Sequence, residues 1–216
     1  MTKEVLPEHC SGVRRGEGLT SFDAVCRGEP RYNAFTLIEL IVVIGIIIIL
    51  SGLVLSTVGY ARKKGARARA ETEIAAMSAA CENYKADNAV YPSNNDTNGL
   101  DPTANFDSSP PPPGQTNAYS LAGLSLYEKL LGVTSGNRSE TPTTRTYFTF
   151  KPNMLHPPPP STDDVVGIRD PFGNLYGYST KKASDPTTNG YNPTFDLWST
   201  AGGTASSDTP KWIKNW

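Results

Sequence analysis

Phe35-Thr-Leu-Ile-Glu-Leu-Ile-Val-Val-Ile-Gly-Ile-Ile-Ile-Ile-Leu-Ser-Gly-Leu-Val-Leu-Ser-Thr-Val58 is the most apolar stretch of this 216-residue chain, and Glu39 is its one ionisable side chain. At ~1.5 Å per residue such a helix measures about 36 Å, enough to cross a ~30 Å hydrocarbon layer with some tilt. We read residues 35–58 as a transmembrane helix rather than as the core helix of a soluble protein. Gly45, Gly52, Ser56 and Gly59 fall within about 60° of one another on a helical wheel, and such a stripe of small residues permits close helix–helix packing.

Downstream the helical pattern continues into water. Ala70, Ile74, Met77, Cys81 and Tyr84 recur at helical spacing on one face. Arg62, Lys63, Lys64, Arg67 and Arg69 mark the exit from the membrane, and Tyr91-Pro92 biases the chain away from helix, which puts the helix end near Asn88. A helix running from Phe35 to Asn88 far exceeds the usual globular length of roughly 10–14 residues, so half of it needs partners outside its own domain. Upstream, residues 1–34 mix Gly, Arg and Glu without periodicity and read as a leader or a disordered arm.

The remaining residues, 91–216, are rich in Pro and Gly. The runs 110–113 and 157–160 read as stiff, solvated polyproline spacers. Residues 121–131 predict a short amphipathic helix, and 146–150, 175–179 and 194–199 predict strands, with a turn at 170–174 leading into the second. The expected fold is α+β: one long N-terminal helix, half transmembrane and half amphipathic, packed on a small antiparallel sheet.

Composition narrows the function. Twenty basic against 21 acidic residues give a formal charge of −1, an overall balance that gives no sign of a nucleic-acid-binding protein. Cys10 and Cys26 precede the apolar run and only Cys81 follows it, so removal of a leader leaves no intramolecular disulfide. No CxxC pair exists, and His9 and His156 give little material for metal or Ser-His-Asp chemistry. No paired carboxylates, nucleophile elbow or P-loop follows residue 60, and no enzymatic activity or cofactor is expected.

Glu39 is the most informative residue, because an ionisable group within a membrane span marks a function with a partner. No Lys, Arg or His occurs between Thr36 and Tyr60. A cut between Ala34 and Phe35 would create an α-amine, largely protonated at neutral pH, one helical turn from Glu39 or beside the Glu39 of a neighbouring subunit. The plainer alternative is a carboxylate that snorkels to the interface without a specific contact.

The segment Ala34-Phe-Thr-Leu-Ile-Glu-Leu40 followed by an Ile/Val-rich run resembles the processing motif of type IV pilins and type II secretion pseudopilins. The resemblance implies cleavage by a prepilin peptidase before Phe35, N-methylation of Phe35, and an assembly and register role for Glu39. It also implies leader removal at 1–34, a periplasmic continuation of the helix at 59–90, and a globular pilin-like domain at 91–216. In that family Gly stands before the cut; here it is Ala34. Residues 84–92, 170–178 and 195–199 with 215–216 are similar to blocks of the major pseudopilin, whereas 93–165 lies outside the resemblance as an enlarged Pro-rich insertion. Major pseudopilins hold calcium in the loop after the last strand. In this sequence only Asp208 matches a carboxylate ligand there, and Gly202 or Gly203 replaces the earlier acid. The implied partners are further copies of the chain in a filament, the peptidase, a membrane platform with its assembly ATPase, and minor pilins or pseudopilins. The implied place is the bacterial inner membrane, single-pass, with the C-terminal domain in the periplasm and later in a filament.

Orientation sets two rules against each other. Arg15, Arg27 and Arg31 precede the span and five basic residues at 62–69 follow it, so the positive-inside bias alone places the C-terminus in the cytoplasm. The resemblance implies the reverse. Two other readings remain at this stage: a single-pass anchored binding or enzymatic domain, and a secreted domain cut after Gly59-Tyr60-Ala61.

Overall fold

The computed structural model describes residues 35–216, apart from the side chains of Leu55, Ser56 and Thr57. The expected leader 1–34 and Ala34 lie outside the described residues, as does the side chain of Ser56. The chain divides into two compact units, Met1–Ile47 and Ile48–Trp216.

Helix α1 spans Leu37–Asn88. In the first unit, its apolar side chains up to Ile47 are all solvent-exposed. In the second unit α1 presents one buried face. Ala70, Ile74, Met77 and Cys81 are at most 4 % exposed, so the spacing read from the sequence is the packed face. Burial pushes the Cys81 thiol up to about 12, which keeps it neutral in the core. Asn88 closes the helix by donating its side-chain amide to the Tyr84 carbonyl at 2.9 Å, and Ala89 then adopts a positive φ of 62°.

After a short helix α2, Asn95–Gly99, the helix α3 occupies Ala118–Leu131. It begins three residues before the expected start because Asn117 caps it: the Asn117 side chain accepts from Ser120 N at 2.8 Å while Ser120 Oγ receives the Asn117 N–H at 2.8 Å. This reciprocal capping box satisfies donors that the helix leaves open. Gly132 ends α3 at φ 88°, the left-handed conformation that a Cβ disfavours. Tyr119, Ala122, Leu126 and Leu130 bury the inner face.

Two antiparallel sheets form instead of the one expected. Strands β1 (Leu155–His156) and β2 (Gly167–Ile168) make a two-stranded ladder. Strands β3 (Gly177–Ser179), β4 (Asp196–Ser199) and β5 (Ile213–Lys214) form the second sheet in the order β3-β4-β5. A further short helix, α4, covers Lys181–Ser184 between β3 and β4. The expected strands at 175–179 and 194–199 are thus present in shortened form, with Leu175 held by an isolated bridge to Arg169.

The expected strand at 146–150 does not form. Tyr147 and Phe148 donate both of their N–H groups to the same Leu130 carbonyl, at 2.7 and 3.0 Å, so this segment caps the end of α3. Its alternating aromatics are used for packing: Phe150 is buried and stacks edge-on with Phe148. The two proline runs keep exposed prolines at 112, 113, 159 and 160 but are not independent of one another. Pro111–Pro113 and Pro157 wall a common cavity of about 330 Å³ together with His156.

Candidate functional site

The N-terminal site is built on the first turn of α1. Thr36 is the residue before the helix. Its N–H and its Oγ1 both donate to the Glu39 carboxylate, at 3.0 and 2.9 Å, while Glu39 N donates back to Thr36 Oγ1 at 3.3 Å. These bonds form a capping box, Thr-x-x-Glu, with the acid favourably placed at the positive end of the helix dipole. The signature is local, Thr36 and Glu39 three positions apart ahead of an apolar run, and it gives Glu39 a role within its own chain besides that of a charge needing a cation. Phe35, just outside the helix, is 87 % exposed.

Along the apolar run the structure describes Gly45, Gly52 and Gly59, and a Cβ built at any of them meets nothing within 4 Å. Nothing inside a single chain therefore demands glycine at these positions. The helix is long and apolar enough to cross a membrane.

The water-side half of α1 is joined to the sheets by polar bonds at its base. Glu73 is nearly buried, and its two carboxylate oxygens accept from Arg69 Nε at 2.7 Å and from the Tyr176 hydroxyl at 2.8 Å. Burial, reinforced by the adjacent carboxylate, pushes the Tyr176 phenol far above its ordinary range, so it remains a donor at every physiological pH.

Behind this contact lies the turn at 170–174. Asp170 accepts from the N–H groups of Phe172 and Asn174, both at 2.9 Å, and from the Ser199 hydroxyl at 2.5 Å. Burial raises its carboxyl pKa against the pull of those three donors. Asp196 is similarly enclosed, accepting from Tyr191 N at 3.0 Å and Asn192 N at 2.8 Å, and burial raises its carboxyl too. Both acids act as backbone staples. Among the described residues, no group of three or more His, Cys, Asp or Glu is placed to hold a metal.

The calcium expectation rests on Asp208. It sits on a 3₁₀ turn, Ser206–Lys211, and its Oδ1 accepts from Lys211 Nζ at 2.8 Å. That bond holds the carboxyl below its usual range. A lone carboxylate already facing an ammonium is a poor donor set for a dication that takes six to eight oxygens. The residues present do not fit a calcium cage.

Comparison with known proteins singles out the segment that carries the capping box and the exposed apolar helix. Residues 30–55 match the family model of the prokaryotic N-terminal methylation motif. Over that segment the chain is type IV pilin-like. No curated protein and no solved structure matches the chain. The methylation motif covers Ala34, Phe35, Thr36 and Glu39 as well as Gly45 and Gly52. The motif and the apolar helix together point to membrane anchoring. The α+β architecture, a long N-terminal helix with small antiparallel sheets, is of the pilin-like kind.

Proposed function

We propose that this chain is a structural subunit of a type II secretion pseudopilus or a type IV pilus-like filament. A prepilin peptidase cuts between Ala34 and Phe35 and the new Phe35 amine is N-methylated. Residues 35–58 then hold the subunit in the bacterial inner membrane, with the C-terminal domain in the periplasm, until a membrane platform and its ATPase draw it into the filament.

The observation that supports this reading best is the methylation motif at residues 30–55 on a helix whose apolar side chains are solvent-exposed in the single chain. Such a surface has two possible coverings, lipid and other copies of itself, and a filament subunit uses them in turn. Heterologous head-to-tail packing lets the polymer grow without closing. In that packing the small-residue stripe at Gly45, Gly52, Ser56 and Gly59 lets neighbouring helices approach. The Phe35 amine of one subunit pairs with Glu39 of its own or an adjacent chain. Thr36 remains in the mature chain, so the Glu39 carboxylate keeps its capping donors while it accepts from the amine.

The deciding experiment is mass spectrometry of the N-terminal peptide from membrane-fraction protein, with and without the prepilin peptidase. An N-methylated Phe35 start that depends on the peptidase is the expected result. An intact leader sinks the reading in favour of a plain anchored domain, and an Arg62 start sinks it in favour of a secreted one.

A further inference from the structure

We propose that the cleft where the basic end of α1 meets the C-terminal 3₁₀ turn binds the phosphate of an anionic phospholipid headgroup. The cleft measures about 550 Å³ and is lined by residues between Tyr60 and Lys211. Four lining side chains are cationic: Lys63, Lys64 and Arg67 from α1, and Lys211 from the turn. Asp208 is the single acid in the lining and is already engaged by the Lys211 ammonium.

The convergence of these cations is built into the fold. Arg67 Nη1 donates to the Lys211 carbonyl at 2.9 Å, across 144 positions of sequence, and so seats the turn on the helix. Arg67 is also committed to Glu71 at 3.2 Å, while Lys64 lies 5.4 Å from the centre of the Tyr60 ring. Neither Lys63 nor Lys64 has a carboxylate partner among the described residues. Like charges collected in one cleft attract an anion that offers several acceptor oxygens, and a phosphate diester is such a group.

Position along the chain selects a lipid as its source. Tyr60 comes two residues after the apolar run ends at Val58, and Lys63 and Lys64 follow within about one further helical turn. With that run in a bilayer, the cleft opens in the headgroup layer. The lining is mixed in the way an interface requires: Tyr60 and Phe172 supply aromatic surface beside the cations. A phosphodiester on its glycerol stem matches both halves. The inference rests on the membrane-anchored reading of residues 35–58, and its test keeps the two separable.

The full chain is purified in neutral detergent, and native mass spectrometry counts phosphatidylglycerol and phosphatidylcholine retained from mixed micelles. The expected result is preferential retention of phosphatidylglycerol. Lys63→Gln/Lys64→Gln lowers it by about 30-fold, and Lys211→Gln alone by about five-fold, at roughly a factor of five per basic side chain. Lys129→Gln/Lys151→Gln carries the same change in charge away from the cleft and leaves retention unchanged. All five lysines are exposed, so folding is not at stake, and circular dichroism verifies it.

Unchanged retention in Lys63→Gln/Lys64→Gln overturns the proposal. An effect of that pair without any effect of Lys211→Gln reduces the site to a plain basic strip and overturns the cleft. Displacement of the lipid by inorganic phosphate at equal concentration makes it a free-anion site instead. Separately, failure of the full chain to float with pure phosphatidylcholine vesicles removes the membrane reading itself.

Discussion

Single side chains carry the joint between α1 and the sheets. Tyr176→Phe leaves one Glu73 oxygen without its donor in a nearly buried place, and the expected loss is about 1–3 kcal/mol in denaturant unfolding of the detergent-solubilised chain. Gly177 is set by a different constraint, since a Cβ there would clash with the Trp198 ring, which is itself fully buried. Gly177→Ala therefore costs roughly 2–3 kcal/mol as the core is forced apart, read as a lower unfolding midpoint. The Cys81 thiol, raised to about 12 in the fold from 9.0, is favoured as the neutral form. Its contribution to stability is complete below its unfolded value and is lost as pH rises from there through the folded one. Read on the Cys81 peptide, the native protein should resist thiol-specific reagents at neutral pH and react once unfolded; reaction of Cys81 at the rate of a free thiol in native protein contradicts this packing.

His156 gives the opposite pH sign. Burial, followed by the nearby Arg169 and Arg138 charges, lowers its pKa below 6.5, so the neutral ring is the one the fold accepts. Stability from this group is present at neutral pH and falls as pH drops through 6.5, because the unfolded chain then binds the extra proton. Replacing His156 with Gln should flatten the stability profile in that window, measured as the unfolding midpoint at a series of pH values.

At the scale of elements, α1 behaves as two helices with different reasons for existing. Its water-side half is amphipathic and is held by tertiary packing, so its two faces respond differently to substitution. Met77→Ala, at 0 % exposure, should cost about 2–5 kcal/mol, whereas Ala75→Ser on the exposed face should change stability by about 0.5 kcal/mol at most. Its first turn is held by the Thr36–Glu39 capping box. Thr36→Ala should speed amide hydrogen exchange there by about five-fold, the equivalent of a lost cap. α3 shows how a cap sets a boundary: with Asn117 and Ser120 as reciprocal partners, the helix starts at Ala118 rather than at the first strongly periodic residue.

For the whole molecule, the methylation motif at residues 30–55 lies on a helix long and apolar enough to cross a membrane, in a chain of pilin-like α+β architecture. The packed part of the chain, residues 70 onward, encloses two aromatic-rich clusters, one around Met77, Leu126 and Tyr178 and one around Trp198, Trp212 and Tyr119. Segments 106–131 and 147–165, which lie outside the resemblance to the pseudopilin blocks, contribute Tyr119, Leu126, Leu130, Phe150 and Leu155 to those clusters. Deleting residues 93–165 should therefore abolish cooperative unfolding rather than trim a surface loop. Retention of a sharp unfolding transition in that deletion would contradict the packing.

The apolar run, the spacing 70-74-77-81 and the methylation motif were legible in the sequence because each is local: hydrocarbon thickness, the 3.6-residue period and a short peptide signature involve no distant partner. The turn at 170–174 was legible for the same reason, as Asp170 bonds its own Phe172 and Asn174. What the sequence left open is what required distant residues to meet. The strand expected at 146–150 became a cap on α3 because the nearest free acceptor for its N–H groups was the Leu130 carbonyl. Glu73, an ordinary helix acid in sequence, gained its meaning from a tyrosine 103 positions later, and Lys211 joined the basic end of α1 only through the bond from Arg67. Local periodicity determines which elements exist and which face they bury. Hydrogen-bond accounting in the packed state decides which of them pair, because a buried donor or acceptor must find its partner wherever the fold has placed one.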